Sequence, residues 1–239
     1  MITVPTGGAL APFARVPVRG RVELPLPADP RGAVATAAAV LTAAAVTGGT
    51  VLMRNWDDVP AADGRRLREL LAGAGVYVVR SRVGLTATTR ATGGEVEALD
   101  ITLERFDPLL PFAAVLALRG RGDSRLRGPD SAAGADLAER LTAFGAEAHS
   151  SAGVLTIRPG VPDPAAAPWA EGADLSSSLA GLVLGLLVRG TVITGTDGID
   201  SAAPGFLRSW YALVEADEYL LPGSDLLPHD YLGPRVESH

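Results

Sequence analysis

The chain has no cysteine and no lysine. Without thiols it forms neither disulfides nor thiolate metal sites. Without lysine it has no Schiff-base amine and no ammonium acid or base, so arginine supplies the fixed positive charge. Histidine is scarce: His149, His229 and His239 lie far apart, two of them in the tail, and neither a metal nor a cofactor is expected. The net charge of −6, with scattered arginines, lacks the basic face that nucleic acid needs. The longest apolar run, Ala33–Val46, is too short and alanine-rich to suggest a membrane span. Met1–Ala14 has no basic start and holds several prolines and glycines, unlike a secretory signal. These absences predict a cytoplasmic protein without nucleic-acid or membrane partners.

Apolar residues make up 47% of the chain, enough for a sizeable core. They are organised in a repeat. Three times an alanine- or leucine-rich helix runs into a short strand that begins with a small polar residue. The copies are Ala33–Val46 into Thr50–Arg54, Leu109–Leu118 into Ser124–Arg127, and Leu175–Val188 into Thr191–Thr194. Strand starts are about 70 residues apart, and a more polar helix follows each strand, which predicts one βα unit used three times.

Along the chain, Met1–Gly20 reads as a lead-in and Val22–Leu26 as a short strand. The first repeat has its strand over Thr50–Trp56 and a surface helix over Pro60–Gly73. A hairpin is predicted over Val76–Arg82 and Leu85–Arg90, turned at Val83-Gly84, and a further strand over Leu99–Glu104. The second repeat carries a Ser131–Phe144 helix and a hairpin of Ala146–His149 with Val154–Arg158. Pro159–Pro168 is a loop, Pro204–Ala216 the last helix, and 217–239 an irregular extension. The first helix of each repeat is apolar nearly all round and should be buried on every side. The expected fold is therefore an inside-out α/β domain over 21–216, with three buried helices inside strands and outer helices.

That plan, with these residues, resembles one lobe of the enolpyruvyl transferases, specifically the C-terminal lobe of 5-enolpyruvylshikimate-3-phosphate (EPSP) synthase. The resemblance runs from about Arg21 to Leu213. It is carried by Ala43–Val51 with Arg54-Asn55-Trp56, Leu99-Asp100-Ile101, Pro111–Ala117, Leu141–Glu147, Ile157-Arg158-Pro159 and Pro204-Gly205-Phe206. It implies a two-lobed relative with its active site in the cleft between the lobes, of which one lobe is expected here.

The family's chemical groups match poorly. Its second repeat places a Pro-Asp pair, active in proton transfer, before the buried helix; here the pair is Asp107-Pro108. Its Lys-Glu-(Ser/Thr)-Asp-Arg segment, which contacts phosphoenolpyruvate, falls at Pro129-Asp130-Ser131-Ala132-Ala133. Its Asp-His-Arg opening of the third buried helix falls at Asp174-Leu175-Ser176. Its late lysine falls near Ser201, and the serine pair that holds substrate phosphate falls near Ala35-Thr36. The resemblance thus makes Asp107 and Asp130 candidate acid/base carboxylates. It makes Thr36, Arg127, Asp174, Ser176 and Ser201 candidate substrate contacts.

Each has a structural alternative. Asp107 can start a turn and Asp130 can cap a helix. Asp174 is equally a helix cap, although free N–H groups at such a helix start favour an anion. Arg54, Arg125 and Arg127 can be solvated strand charges. Trp56, Trp169, Trp210 and Tyr211 can line an apolar pocket or a partner face, while at helical spacing Trp210 and Leu213 also suit the core. His229 could fold back as part of a lid.

Three functions of different class follow. One is a repurposed enzyme acting on a neutral or weakly charged small molecule in specialised metabolism, by proton transfer, isomerisation or cyclisation. Another is a non-catalytic pseudoenzyme that binds a ligand or partner, and the last is one half of a split transferase. The former inter-lobe face is expected to be covered by a second copy, another protein or the 217–239 tail.

Overall fold

Two four-stranded sheets repeat one another strand for strand. The computed structural model describes residues 2–3, 17–89, 93–104, 107–128, 131–160, 169, 174–188, 191–193 and 196–215. After β1 (Ile2–Thr3), the first unit is β2 (Arg19–Val22), α1 (Pro30–Thr47), β3 (Thr50–Met53), α2 (Ala61–Gly73), β4 (Tyr77–Ser81) and β5 (Gly84–Thr88). Its sheet order is β2-β3-β5-β4, with β2 and β3 parallel and the other pairs antiparallel. The second unit is β6 (Asp100–Thr102), α3 (Leu110–Leu118), β7 (Ser124–Arg127), α4 (Ser131–Ala143), β8 (Ala148–Ser151) and β9 (Val154–Ile157). Its order, β6-β7-β9-β8, and its strand directions are the same. The third unit contributes α5 (Leu175–Gly185), β10 (Val192–Ile193), α6 (Thr196–Ala202) and α7 (Phe206–Glu215), and β10 pairs antiparallel with β1.

The apolar helices α1, α3 and α5 pack against one another at the centre, as their sequences predict. Every residue of α1 from Gly32 to Thr47 is buried, and so is every residue of α3. Outer helix α2 buries only the stripe of Gly64, Leu67, Leu70 and Leu71. Trp210 and Leu213 of α7 join the core. By length and composition α1 could cross a membrane, but 89% of it is enclosed by the fold.

Boundaries differ from the expected ones for local reasons. α1 starts a turn before Ala33, because Asp29 caps it by accepting a hydrogen bond from Gly32 N at 2.8 Å and Pro30 takes the first helical position. It ends at Gly48, φ 76°, whose N–H returns to the Ala44 and Ala45 carbonyls. The strand expected over Val22–Leu26 lies instead at Arg19–Val22. Beyond Val22 the Asn55 side chain replaces the ladder, donating to Leu24 O at 2.8 Å and accepting from Leu24 N at 3.0 Å. The expected lead-in boundary at residue 20 therefore falls inside β2. A short 3₁₀ turn, Trp56–Asp58, takes up the end of the strand expected over Thr50–Trp56.

Both hairpins are tight, with two-residue loops at Arg82-Val83 and Ala152-Gly153. The second loop has positive φ at both residues, 50° and 71°, which matches the twist of its strands and moves β8 two residues beyond the expected Ala146–His149. In the third unit the helix expected over Leu175–Val188 ends at Gly185. The one expected over Pro204–Ala216 starts only at Phe206, after a break through Pro204 and Gly205, φ 81°. Helix α6 ahead of that break was not among the expected elements.

Candidate functional site

The buried helices begin alike. Asp29 caps α1, and Asp174, in extended conformation, caps α5 by accepting from Ser177 N at 2.8 Å. Ahead of α3 stands Asp107, whose side chain is fully buried. Its Oδ1 accepts from Leu109 N at 2.9 Å, its Oδ2 accepts from Glu104 N at 3.3 Å, and its carbonyl receives Leu110 N at 3.1 Å. Helix starts carry unpaired N–H groups and the positive end of the helix dipole, and so attract anions. At the starts of α1 and α5 the chain's own carboxylate meets that demand, while at α3 Asp107 stands just ahead, accepting from the N-cap residue Leu109, and no side chain caps the helical amides.

Arginines of the outer helices act on two of these aspartates, Arg66 by pairing with Asp107 and Arg140 through the charge of Asp174. Arg66 of α2, one-quarter exposed, donates through Nη2 to Asp107 Oδ2 and also reaches Glu104 and Asp63, each at 3.5 Å. In the next unit Arg140 of α4 lies 4.3 Å above the Trp169 ring, which meets Phe144 edge-on and donates through Nε1 to Ser177 O at 3.0 Å. Burial pulls the Arg140 guanidinium below its ordinary pKa, and the carboxylates of Asp136 and Asp174 oppose that pull. Gly181 makes room for this cluster, since a Cβ there would sit 2.3 Å from Trp169 Cδ1.

The other expected residues are dispersed. Thr36 is fully buried inside the second turn of α1, and its hydroxyl donates to Ala33 O at 2.9 Å. It does not open the helix, because Asp29 and Pro30 set the start a turn earlier. Arg127 forks onto Asp100, with Nη2 to Oδ2 at 3.1 Å, as an exposed pair worth about 1 kcal/mol or less. Ser176 is buried in the first turn of α5, and Ser201 is exposed on α6, which packs on α5. Arg54 and Arg125 are exposed. Asp130 and His229 lie outside the described residues.

The structure therefore brings Thr36, Asp107, Asp174 and Ser176 onto the opening segments of three mutually packed helices, with Arg127 and Ser201 apart. Two surface depressions, of about 330 and 240 Å3, are lined by none of these residues. No cluster of three or more metal-ligating side chains occurs among the described residues. Sequence reasoning missed Asp29, Arg66 and Arg140. The first had a visible signal, because Asp29-Pro30 repeats the dipeptide Asp107-Pro108.

Residues 26–210 match the family model for EPSP synthase (3-phosphoshikimate 1-carboxyvinyltransferase). A 3-phosphoshikimate 1-carboxyvinyltransferase of Aeropyrum pernix is 34% identical over 181 residues, covering 72% of this chain and 41% of that protein. Among solved structures, the enolpyruvyl transferase NikO from Streptomyces tendae superposes with a TM-score of 0.60 at 18% identity, over 75% of this chain and 42% of that one. The chain thus spans about two-fifths of the length of these relatives.

Proposed function

The chain belongs to the EPSP synthase family of enolpyruvyl transferases, and from that premise we propose a divergent member that does not use phosphoenolpyruvate. It acts instead on a neutral or weakly charged small molecule in specialised metabolism, by proton transfer, isomerisation or cyclisation. The observation that carries this reading is the aspartate at or just ahead of each buried helix start, with Arg66 engaged by Asp107. A phosphorylated substrate arriving there meets carboxylates, and like charges repel it. Asp107 and Asp130 are the carboxylates offered for acid/base work, Asp107 while its two oxygens accept hydrogen bonds from Leu109 N and Glu104 N.

A matched pair of ligands tests the charge preference. Shikimate and shikimate-3-phosphate differ by one phosphate, and a ligand at a hundred times its Kd stabilises a fold by about 2.7 kcal/mol. Thermal denaturation with each, against inorganic phosphate at equal concentration, is expected to show no gain from the phosphate group beyond that control. A shift specific to shikimate-3-phosphate, accompanied by movement of the Gly32, Leu109 or Ser177 amide resonances at the helix starts, contradicts the reading.

The second reading, a binding protein or one half of a split transferase, is favoured by the absence of the mapped residues from both depressions. Under either reading a second copy, another protein or the 217–239 segment covers the helix-start face, as the resemblance to one lobe of a two-lobed family implies. Light scattering is expected to give a particle larger than the 24.5 kDa chain, or else a monomer with a protease-resistant tail. A monomer whose tail is cleaved at once without loss of stability rules this covering out.

A further inference from the structure

A second charged locus lies on α2 of the first unit, and its lining shares no residue with the helix starts considered above. Its 240 Å3 depression is bounded by Trp56 of the 3₁₀ turn, Arg65 and Arg68 of α2, and Arg80 of β4. The i, i+3 spacing of Arg65 and Arg68 sets both guanidinium groups on one helix face. The floor is aromatic. Gly64 lets the Trp56 ring lie against α2, where a Cβ would come within 3.0 Å of the ring's Cζ2.

The charges in this depression are not balanced internally. Arg80 donates to Asp57 Oδ1 at 2.7 Å, which neutralises one of the three cations. Arg65 and Arg68 have no hydrogen-bond or ion-pair partner among the described residues. The Nε–H of Arg68 is sealed from solvent and still unpaired. Buried donors, charged ones above all, are nearly always satisfied, so an acceptor is missing from this place.

The repeat supplies a comparison. Helices α2 and α4 have the same length, with glycine at the fourth position of each, Gly64 and Gly134. Where α2 carries Arg65 and Arg68, α4 carries Ala135 and Ala138. The backbone plan therefore does not require the arginines.

We propose that this depression binds a small phosphorylated molecule, with its phosphate held by Arg65 and Arg68. Two uncommitted guanidinium groups match the charge of a phosphate monoester, close to −2 at neutral pH, and their planar forks suit its oxygens. The Trp56 edge offers an apolar surface to the rest of the ligand. This site is independent of the helix-start face.

Titration of isotope-labelled full chain with inorganic phosphate, then glycerol phosphate, at constant ionic strength tests the proposal. Nuclear magnetic resonance of the Arg68 Nε–H and the Trp56 indole N–H is the readout. Saturable shifts of both are expected, with affinity weakened by about tenfold or more in Arg65→Gln and in Arg68→Gln. Arg65 is exposed, so its variant is expected to melt with the parent and to remain interpretable whatever happens to Arg68→Gln. Absence of saturable shifts, or equal affinity in folded Arg65→Gln, overturns the site.

Discussion

Incubated with shikimate-3-phosphate and phosphoenolpyruvate, this chain alone is expected to release no phosphate above background. The resemblance places two lysines and two arginines of the family's transfer site at positions that hold none of them here. Charge-assisted hydrogen bonds of that kind contribute about 1.5–3 kcal/mol each, so four of them amount to about 6 kcal/mol or more. At about 1.4 kcal/mol per decade, that exceeds four powers of ten. The loss falls on the transition state as well as on binding, because preorganised cations also stabilise the charge that develops during transfer. A second lobe cannot replace groups that this lobe would have to contribute. Sustained phosphate release that scales with the amount of chain overturns the expectation.

Replacing Asp107 is expected to be the most damaging single change to stability at the helix starts. Asp107→Ala leaves Arg66 only its looser partners Asp63 and Glu104 and leaves the amides of Leu109 and Glu104 without their acceptor. Breaking a buried ion pair costs about 3–5 kcal/mol, and the partial exposure of Arg66 puts the value near the low end, about 3 kcal/mol. In a domain of this size that lowers Tm by about 6–12 °C. Asp107→Asn keeps one acceptor oxygen, enough for Leu109 N, but turns its NH2 toward the donors Glu104 N and Arg66 Nη2, so it is expected to cost somewhat less than the alanine variant and still to destabilise. Thermal melts of both variants check this. An unchanged Tm in Asp107→Ala, accompanied by lost activity on whatever substrate is found, would leave Asp107 only the acid/base role.

The buried helices were legible because each is a largely apolar run without charged residues, broken at most by threonine or serine, and followed by a strand whose expected start is a small polar residue. That pattern survives in all three units, and it sufficed to predict the inside-out arrangement. The strand edges were less legible. Asn55 ends β2 by imitating a backbone partner from thirty-one residues away, which no local pattern records. Ala152 turns a hairpin at φ 50° although alanine is a poor turn residue, so β8 was expected two residues early.

At the helix starts, Asp107 and Asp174 stood out from the sequence, but their partners did not. Arg66 and Arg140 come from the outer helix of the preceding unit. An amphipathic pattern tells which face of such a helix is buried, not which arginine on its border reaches a neighbouring carboxylate. The sequence therefore shows Asp107 and Asp174 as candidate site residues but not the hydrogen bonds that hold them.

The central claim is that the chain's own aspartates stand at or just ahead of the anion-attracting starts of its buried helices. Titrating the isotope-labelled chain with phosphoenolpyruvate, while following the backbone amides of Gly32, Leu109 and Ser177, tests it most directly, because those amides are the ones that Asp29, Asp107 and Asp174 accept from. The account predicts that the three resonances stay in place through millimolar ligand, even where Arg68 and Trp56 respond. Saturable movement of any of the three, with the aspartates intact, would contradict it.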